Sequence, residues 1–266
     1  MSLVRPLLAL AAVVFCVGPL VIQALVSVDA DSDLGSRFPD RPTVEAYLTV
    51  LADPNFLRAL WNSLLVATLT TVASVGLGGM AAFALAKLRI PGRGLILAAT
   101  LAVSMLPPVA TVSPIFLALR AMGLRDLAPA LVLPYTSFAL PLSLWLLTAF
   151  FAELPDELFQ AARMDGCSPL QTLRHVFIPL AGPGVASTAL LVFVFAWNEF
   201  LFALTLTSSP SQRTVPVAIS LFTTGQKEPF AEVAAASVLV TLPLILLTLA
   251  FQRRIVAGLT AGAVKA

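Results

Sequence analysis

LPDELFQAARMDGCSPLQTLRHVFIP, Leu154 to Pro179, is a polar insert lying between two strongly apolar runs. Its punctuation reads as two short helices. Pro155 suits the first helical position, because a proline there lacks only a donor that the helix start leaves unused. Asp156 and Glu157 follow in the first turn, where carboxylates oppose the positive end of the helix dipole. Gly166 is placed to end that helix as a left-handed residue. Ser168, Pro169 and Gln171 then form a capping box with proline inside it, so a second helix starts almost where the first stops. Pro179 closes the unit. On the first helix Leu158, Ala161, Ala162 and Asp165 recur at spacings of three and four, a face whose small residues let another backbone approach. Two readings stand on helix signals alone: helices resting at a membrane interface, or a docking element.

Outward from this insert the chain is apolar. Of its 266 residues 59% are hydrophobic and 11% charged, against about 25% charged in soluble domains. Charged residues divide it into six uncharged runs, each able to supply the roughly 20 residues a membrane helix needs: Pro6 to Val28, Ala59 to Ala86, Gly94 to Leu119, Leu127 to Ala152, one after His175, and Val233 to Gln252. The expected fold is an all-α integral membrane protein of six transmembrane helices with a helix-turn-helix loop. The first run is too long for the h-region of a signal peptide and reads as a retained span.

Basic residues set the orientation. Arg5, the cluster Lys87, Arg89 and Arg93, and Arg253, Arg254 and Lys265 share one side, while the segment Asp29 to Arg58 opposite carries six acids against three bases. By the positive-inside bias both termini and the Leu154 to Pro179 loop are cytoplasmic, although that loop is itself net acidic.

Ser74, Gly78, Ala82 and Ala86 form a small-residue stripe for close helix packing, within this chain or against a second subunit. Pro107 and Pro108 in the third span, and Pro134 and Pro141 in the fourth, free backbone carbonyls and bend their helices, whether or not those bends line a cavity. Pro179 and Gly182-Pro183-Gly184 set the start of the fifth span near residue 184, with its end near Leu206. Trp197, Asn198 and Glu199 then fall inside the membrane. An intramembrane carboxylate marks a pathway or a subunit interface by default, with a snorkelling structural residue as the alternative.

The insert resembles the EAA loop of binding-protein-dependent ABC transporter permeases. Gln160-Ala161-Ala162, three residues, Gly166, nine residues and Val176-Phe177-Ile178-Pro179 keep that family's spacing, with Gln160 where glutamate is usual. Asn62-Ser63-Leu64, the LRIPGR stretch from Leu88 to Arg93, Met105 to Pro108, Trp197 to Phe200 and the segment Gly258 to Lys265 are similar to the maltose-type, MalG-like sugar permeases over about residues 56 to 266. The resemblance implies a bacterial cytoplasmic-membrane permease subunit of an ATP-driven sugar importer. Its loop residues Leu158, Gln160, Ala161, Ala162, Asp165, Gly166 and Pro179 would dock on a separate ATPase, where Gln160 can hydrogen-bond but not form an ion pair. It implies as partners a second homologous permease subunit, two cytoplasmic ATP-binding subunits holding ATP and Mg, an extracytoplasmic solute-binding protein or lipoprotein touching roughly Thr207 to Phe230, and the lipid membrane. A tail from Gly258 to Ala266 would reach between the ATPases. Pro107, Asn198 and Glu199 are the pathway or interface candidates.

The chain divides into residues 1–55, an N-terminal helix and outer loop, 56–254, the transmembrane domain, and 255–266, a cytoplasmic tail. No G-x-x-x-x-G-K-[ST] stretch is present to cradle ATP phosphates, so energy must come from a partner. H-E-x-x-H, G-x-S-x-G and Cys/His ligand sets are absent too, and the expectation is neither an enzyme nor a metal or cofactor binder. Sparse, scattered basic residues argue against nucleic acid. The alternatives are an ABC permease for a non-sugar solute and a secondary transporter, which would usually show internal repeats.

Overall fold

The computed structural model describes residues 4–29, 42–88, 90–222 and 230–263. In chain order the helices are α1 (Val4–Val26), α2 (Glu45–Ala52), α3 (Pro54–Lys87), α4 (Arg93–Ser104), α5 (Pro108–Ala121), α6 (Ala128–Glu153), α7 (Asp156–Met164), α8 (Pro169–Thr172), a π-turn (Leu173–Phe177), α9 (Ile178–Leu180), α10 (Gly182–Trp197), α11 (Leu201–Leu206), a 3-10 turn (Pro210–Gln212), α12 (Val215–Ser220) and α13 (Phe230–Ala263). Among the described residues four helices are long and apolar enough to cross a membrane, or six spans if each of two sharply bent pairs forms one span.

Contacts fix the direction of each pass. At one end Lys87 of α3 meets Leu154 just after α6, so α3 and α6 run the same way. At the other end Val66 packs with Leu131 and with Phe193 and Trp197 of α10, which runs opposite to both. Ser27 after α1 shares a hydrogen bond with Tyr47 of α2, and α2 packs with Phe56 and the start of α13. The chain therefore alternates in direction through α1, α3, the α4 and α5 pair, α6, α10 and α13, six passes if each bent pair forms one span.

In lipid, burying apolar surface drives helices together only weakly, and close packing of small residues replaces it. Ser74 and Ala82 are fully buried, and a Cβ on Gly78 would lie 2.7 Å from the Ser143 Cβ of α6. The stripe thus serves packing within this chain. Ser143 contributes its smallness there, since its hydroxyl has no hydrogen-bond partner among the described residues.

Two expected spans differ from the reading above. The third is two helices at 89°, because Pro107 is extended and caps α5 instead of continuing α4. Two consecutive prolines remove two donors, and the second sits at N1, where no donor is needed. The fifth span ends at Trp197 instead of Leu206. Asn198 Nδ2 donates to the Val194 carbonyl, and the Glu199 carboxylate accepts from the Phe202 and Ala203 amides. The Val194 carbonyl also keeps its bond from the Asn198 amide, whereas the Glu199 carboxylate takes over amides that an unbroken helix would bond to its own carbonyls. Pro134 and Pro141, by contrast, stay inside α6 and are buried.

Toward the C-terminus α13 runs to Ala263. Arg89 and Lys265 lie outside the described residues, as do residues 30–41 of the first outer segment and 223–229 of the second.

Candidate functional site

The loop joining α6 to α10 takes the expected helix, turn, helix form with two adjustments. Pro155 is the cap and α7 begins at Asp156. Gly166 is left-handed at φ 84°, and the Cys167 amide bonds back to Ala162. Both capping-box bonds are made, from the Ser168 amide to Gln171 Oε1 at 2.8 Å and from the Gln171 amide to Ser168 Oγ at 3.4 Å. Pro179 does not close the unit. The second helix continues to Leu180 and only then turns by 88° into α10. Proline at that position would press on the carbonyl four residues back. The turn widens to π geometry over Leu173–Phe177, with the Ile178 amide bonded to Leu173, which relieves the clash.

The loop is fixed to the bundle by side chains. Phe177 lies 5.0 Å from Phe83 of α3 and 6.1 Å from Phe151 of α6, and Phe159 of α7 lies 5.9 Å from Phe83. Such edge-to-face pairs contribute about 0.5–1.5 kcal/mol each beyond burial. Lys87, in the last turn of α3, donates to the Leu154 carbonyl at 2.6 Å and to Asp156 Oδ1 at 2.6 Å. Hydrogen bonding to Lys87, then its charge, holds the Asp156 carboxyl below the usual aspartate range.

The expected docking face is divided by this packing. Ala162 is buried and Leu158 half-buried, whereas Gln160, Ala161, Asp165 and Gly166 are exposed. Of the exposed large apolar groups there, Met164 and Leu170, 83% and 62% accessible, stand on either side of the bend. Neither belongs to the EAA pattern; the available signal was two large apolar side chains flanking a glycine turn in a polar loop. Gln160 and Arg163 also border a cleft of about 820 Å³ between α7 and the α3 to α4 connection, together with Lys87, Arg93 and Asp156.

Pro107 lies at the exposed elbow between α4 and α5, and Asn198 and Glu199 at the break between α10 and α11. Glu199 therefore has a structural task, capping α11. Beyond that break a second region joins the segment after Thr207, expected to touch a solute-binding protein, to Asn62, Ser63 and Asp126, whose contacts with it the sequence reading did not foresee. Asn62 Nδ2 donates to the carbonyls of Ser211 at 2.9 Å and Arg213 at 3.0 Å, and the Val215 amide donates to Ser63 Oγ at 2.8 Å. Asp126, a non-glycine residue at φ 64°, accepts from the Ser208 and Ser209 amides and the Ser209 hydroxyl. Burial pushes its carboxyl up, but these bonds and Arg125 outweigh burial, so its pKa lies below the usual value.

Residues 74–260 match the family model described as binding-protein-dependent transport system inner membrane component. The trehalose transport system permease protein SugB of Mycobacterium tuberculosis is 47% identical over 233 residues, 87% of this chain and 85% of that protein. The trehalose/maltose transport system permease protein MalG of Thermococcus litoralis is 42% identical over 257 residues, 95% of this chain and 92% of that one. In fold, the chain is similar to one from the crystal structure of a bacterial ABC transporter that imports the acidic polysaccharide alginate, with a TM-score of 0.80 at 24% identity over 96% of each chain.

Proposed function

Because this multi-pass membrane protein belongs to the family of binding-protein-dependent transport system inner membrane components, we propose that it serves as the permease subunit for a sugar, an oligosaccharide or similar carbohydrate, imported at the expense of ATP. The sugar assignment rests on similarity to the trehalose and trehalose/maltose permeases across 87% and 95% of this chain. The single structural observation that carries the mechanism is the loop Leu154 to Pro179, a capped helix pair packed on the ends of α3 and α6 with Gln160, Ala161, Asp165 and Gly166 turned outward.

In this reading the loop faces the cytoplasm, as do both termini, and docks on one of two ATP-binding subunits that carry ATP and Mg. A second permease subunit completes the pathway, and an extracytoplasmic solute-binding protein delivers the sugar. Nucleotide shifts the inward and outward states only through a difference in affinity for them. The loop supplies that difference because it is stiff: movement of α7 is passed through the Phe177 contacts to α3 and α6 and through α9 to α10.

Co-purification and reconstitution test this. The chain should be recovered with an ATPase, and the sugar-loaded binding protein should stimulate ATP hydrolysis; proton-coupled uptake by the chain alone would overturn the reading. A side chain at Gly166 meets no atom within 4 Å, and aspartate tolerates left-handed backbone better than most residues. Gly166→Asp should accordingly insert normally and lose ATPase capture and transport. Normal transport by that variant would contradict the docking assignment.

A further inference from the structure

We propose that Lys87 is the positioning residue that pins the α6 to α10 loop to the end of α3, through the Leu154 carbonyl and the Phe177 ring more than through its ion pair with Asp156. The inference rests on the loop being the ATPase-facing element.

The ammonium group is placed where the loop begins and where it returns. It bonds the Leu154 carbonyl at the end of α6 and Asp156 at the start of α7, and it lies 5.7 Å from the centre of the Phe177 ring in the second helix. An ammonium has three donors and no acceptor, so one group can join several elements at once. A cation over an aromatic face gains further attraction once water is excluded. The Lys87 side chain is 2% accessible, while that of Asp156 is 75% accessible. The two contacts therefore differ in weight. Water screens the Asp156 pair and competes for it, as at any exposed ion pair. The Leu154 carbonyl, together with Phe177, which is itself fully buried, is met by a desolvated cation, and charge-assisted hydrogen bonds are the stronger kind there. The carbonyl also belongs to the residue that caps α6, at a helix end where backbone acceptors lack helical partners. Lys87 satisfies one of them, and in doing so ties the C-terminal ends of two parallel helices to one loop.

A loop held in this way moves with α3; without the pin, α7 can tilt while α3 stays still. The experiment uses the complete complex with its ATPase and solute-binding protein in proteoliposomes, reading solute carried per ATP hydrolysed and the ATPase recovered per permease. Lys87→Met keeps the apolar stem and removes the charge. It should lower solute carried per ATP about tenfold, within the range of coupling free energies between sites, while ATPase recovery persists. Lys87→Arg should restore most of the ratio, and Asp156→Asn should change it by less than about twofold, as expected for an exposed pair. Should Lys87→Met fail to reach the membrane, Phe177→Leu, which keeps apolar volume and removes the ring face, should lower the ratio in the same direction. A normal ratio in Lys87→Met, or a loss in Asp156→Asn as large as in Lys87→Met, overturns the proposal. A wild-type chain that recovers no ATPase overturns the functional reading beneath it instead.

Discussion

The two ends of the bundle hold their loops by different means. At the Lys87 end, α7 through α9 are attached mainly by side chains: Phe83 meets Phe151, Phe159 and Phe177, Phe151 also meets Phe177, and Lys87 lies over the Phe177 ring and bonds the Leu154 carbonyl. At the Asn62 end the segment after α11 is attached through its backbone, with Asn62 on two carbonyls, Ser63 on one amide and Asp126 on two more. Packing is non-directional, so the loop is seated as one body by buried ring area together with the Lys87 bonds, and it moves with the helices beneath it. Hydrogen bonds weaken steeply off axis, so a segment held by them keeps one register. The difference matches a lever at one end and a fixed platform at the other.

If that contrast is right, substitutions should loosen one end and spare the other. The largest effect is expected from Phe177→Ala, which removes a fully buried ring; such truncations cost about 3–5 kcal/mol. Hydrogen exchange should rise across residues 156–180 and stay unchanged across 207–220. Asn62→Ala comes next, since it leaves two half-buried carbonyls without their donor, at a cost of about 1 kcal/mol, and exchange should rise across 207–215 alone. A uniform rise in either variant would erase the distinction.

Acid provides a gentler probe of the Asn62 end. Asp126 has a lowered pKa, so its contribution is present above the unfolded value of about 3.9 and fades as pH falls through the lower folded value. Protection of Ser208 and Ser209 should hold at neutral pH and decline only in that acidic window, and Asp126→Asn should remove the pH dependence. The smallest effect is expected from Asp156→Asn, whose carboxylate is exposed: its thermal midpoint should be indistinguishable from wild type, and a large shift would mean that the ion pair, not the buried contacts, seats the loop.

How much of this was legible before the structure depends on whether the signal was local. Gly166, Ser168 and Gln171 act on their own neighbours, and the turn and capping box form where the sequence places them. The elbow at Pro107 was legible as a bend but not as an 89° break, because the angle depends on what the second helix packs against. Glu199 was marked by its cost in a membrane, yet the reading kept the helix intact around it. Its carboxylate instead caps α11, a choice between two local bonding schemes that neighbouring packing decides. Ala162 was placed on the docking face by its spacing and by the EAA resemblance; in α7 it is buried, on a helix whose Phe159 packs against Phe83.

By itself the sequence determined the apolar spans, their six-fold alternation, the capped helix pair and the family, all of which follow from hydropathy and short-range backbone chemistry. Only the tertiary structure decided that Lys87 reaches Leu154, 67 residues on, and that Asn62 reaches Ser211, 149 residues on. Those contacts depend on α3 lying parallel to α6 and antiparallel to α10. That arrangement is settled by close approach at Gly78 and by aromatic packing, which no single segment contains.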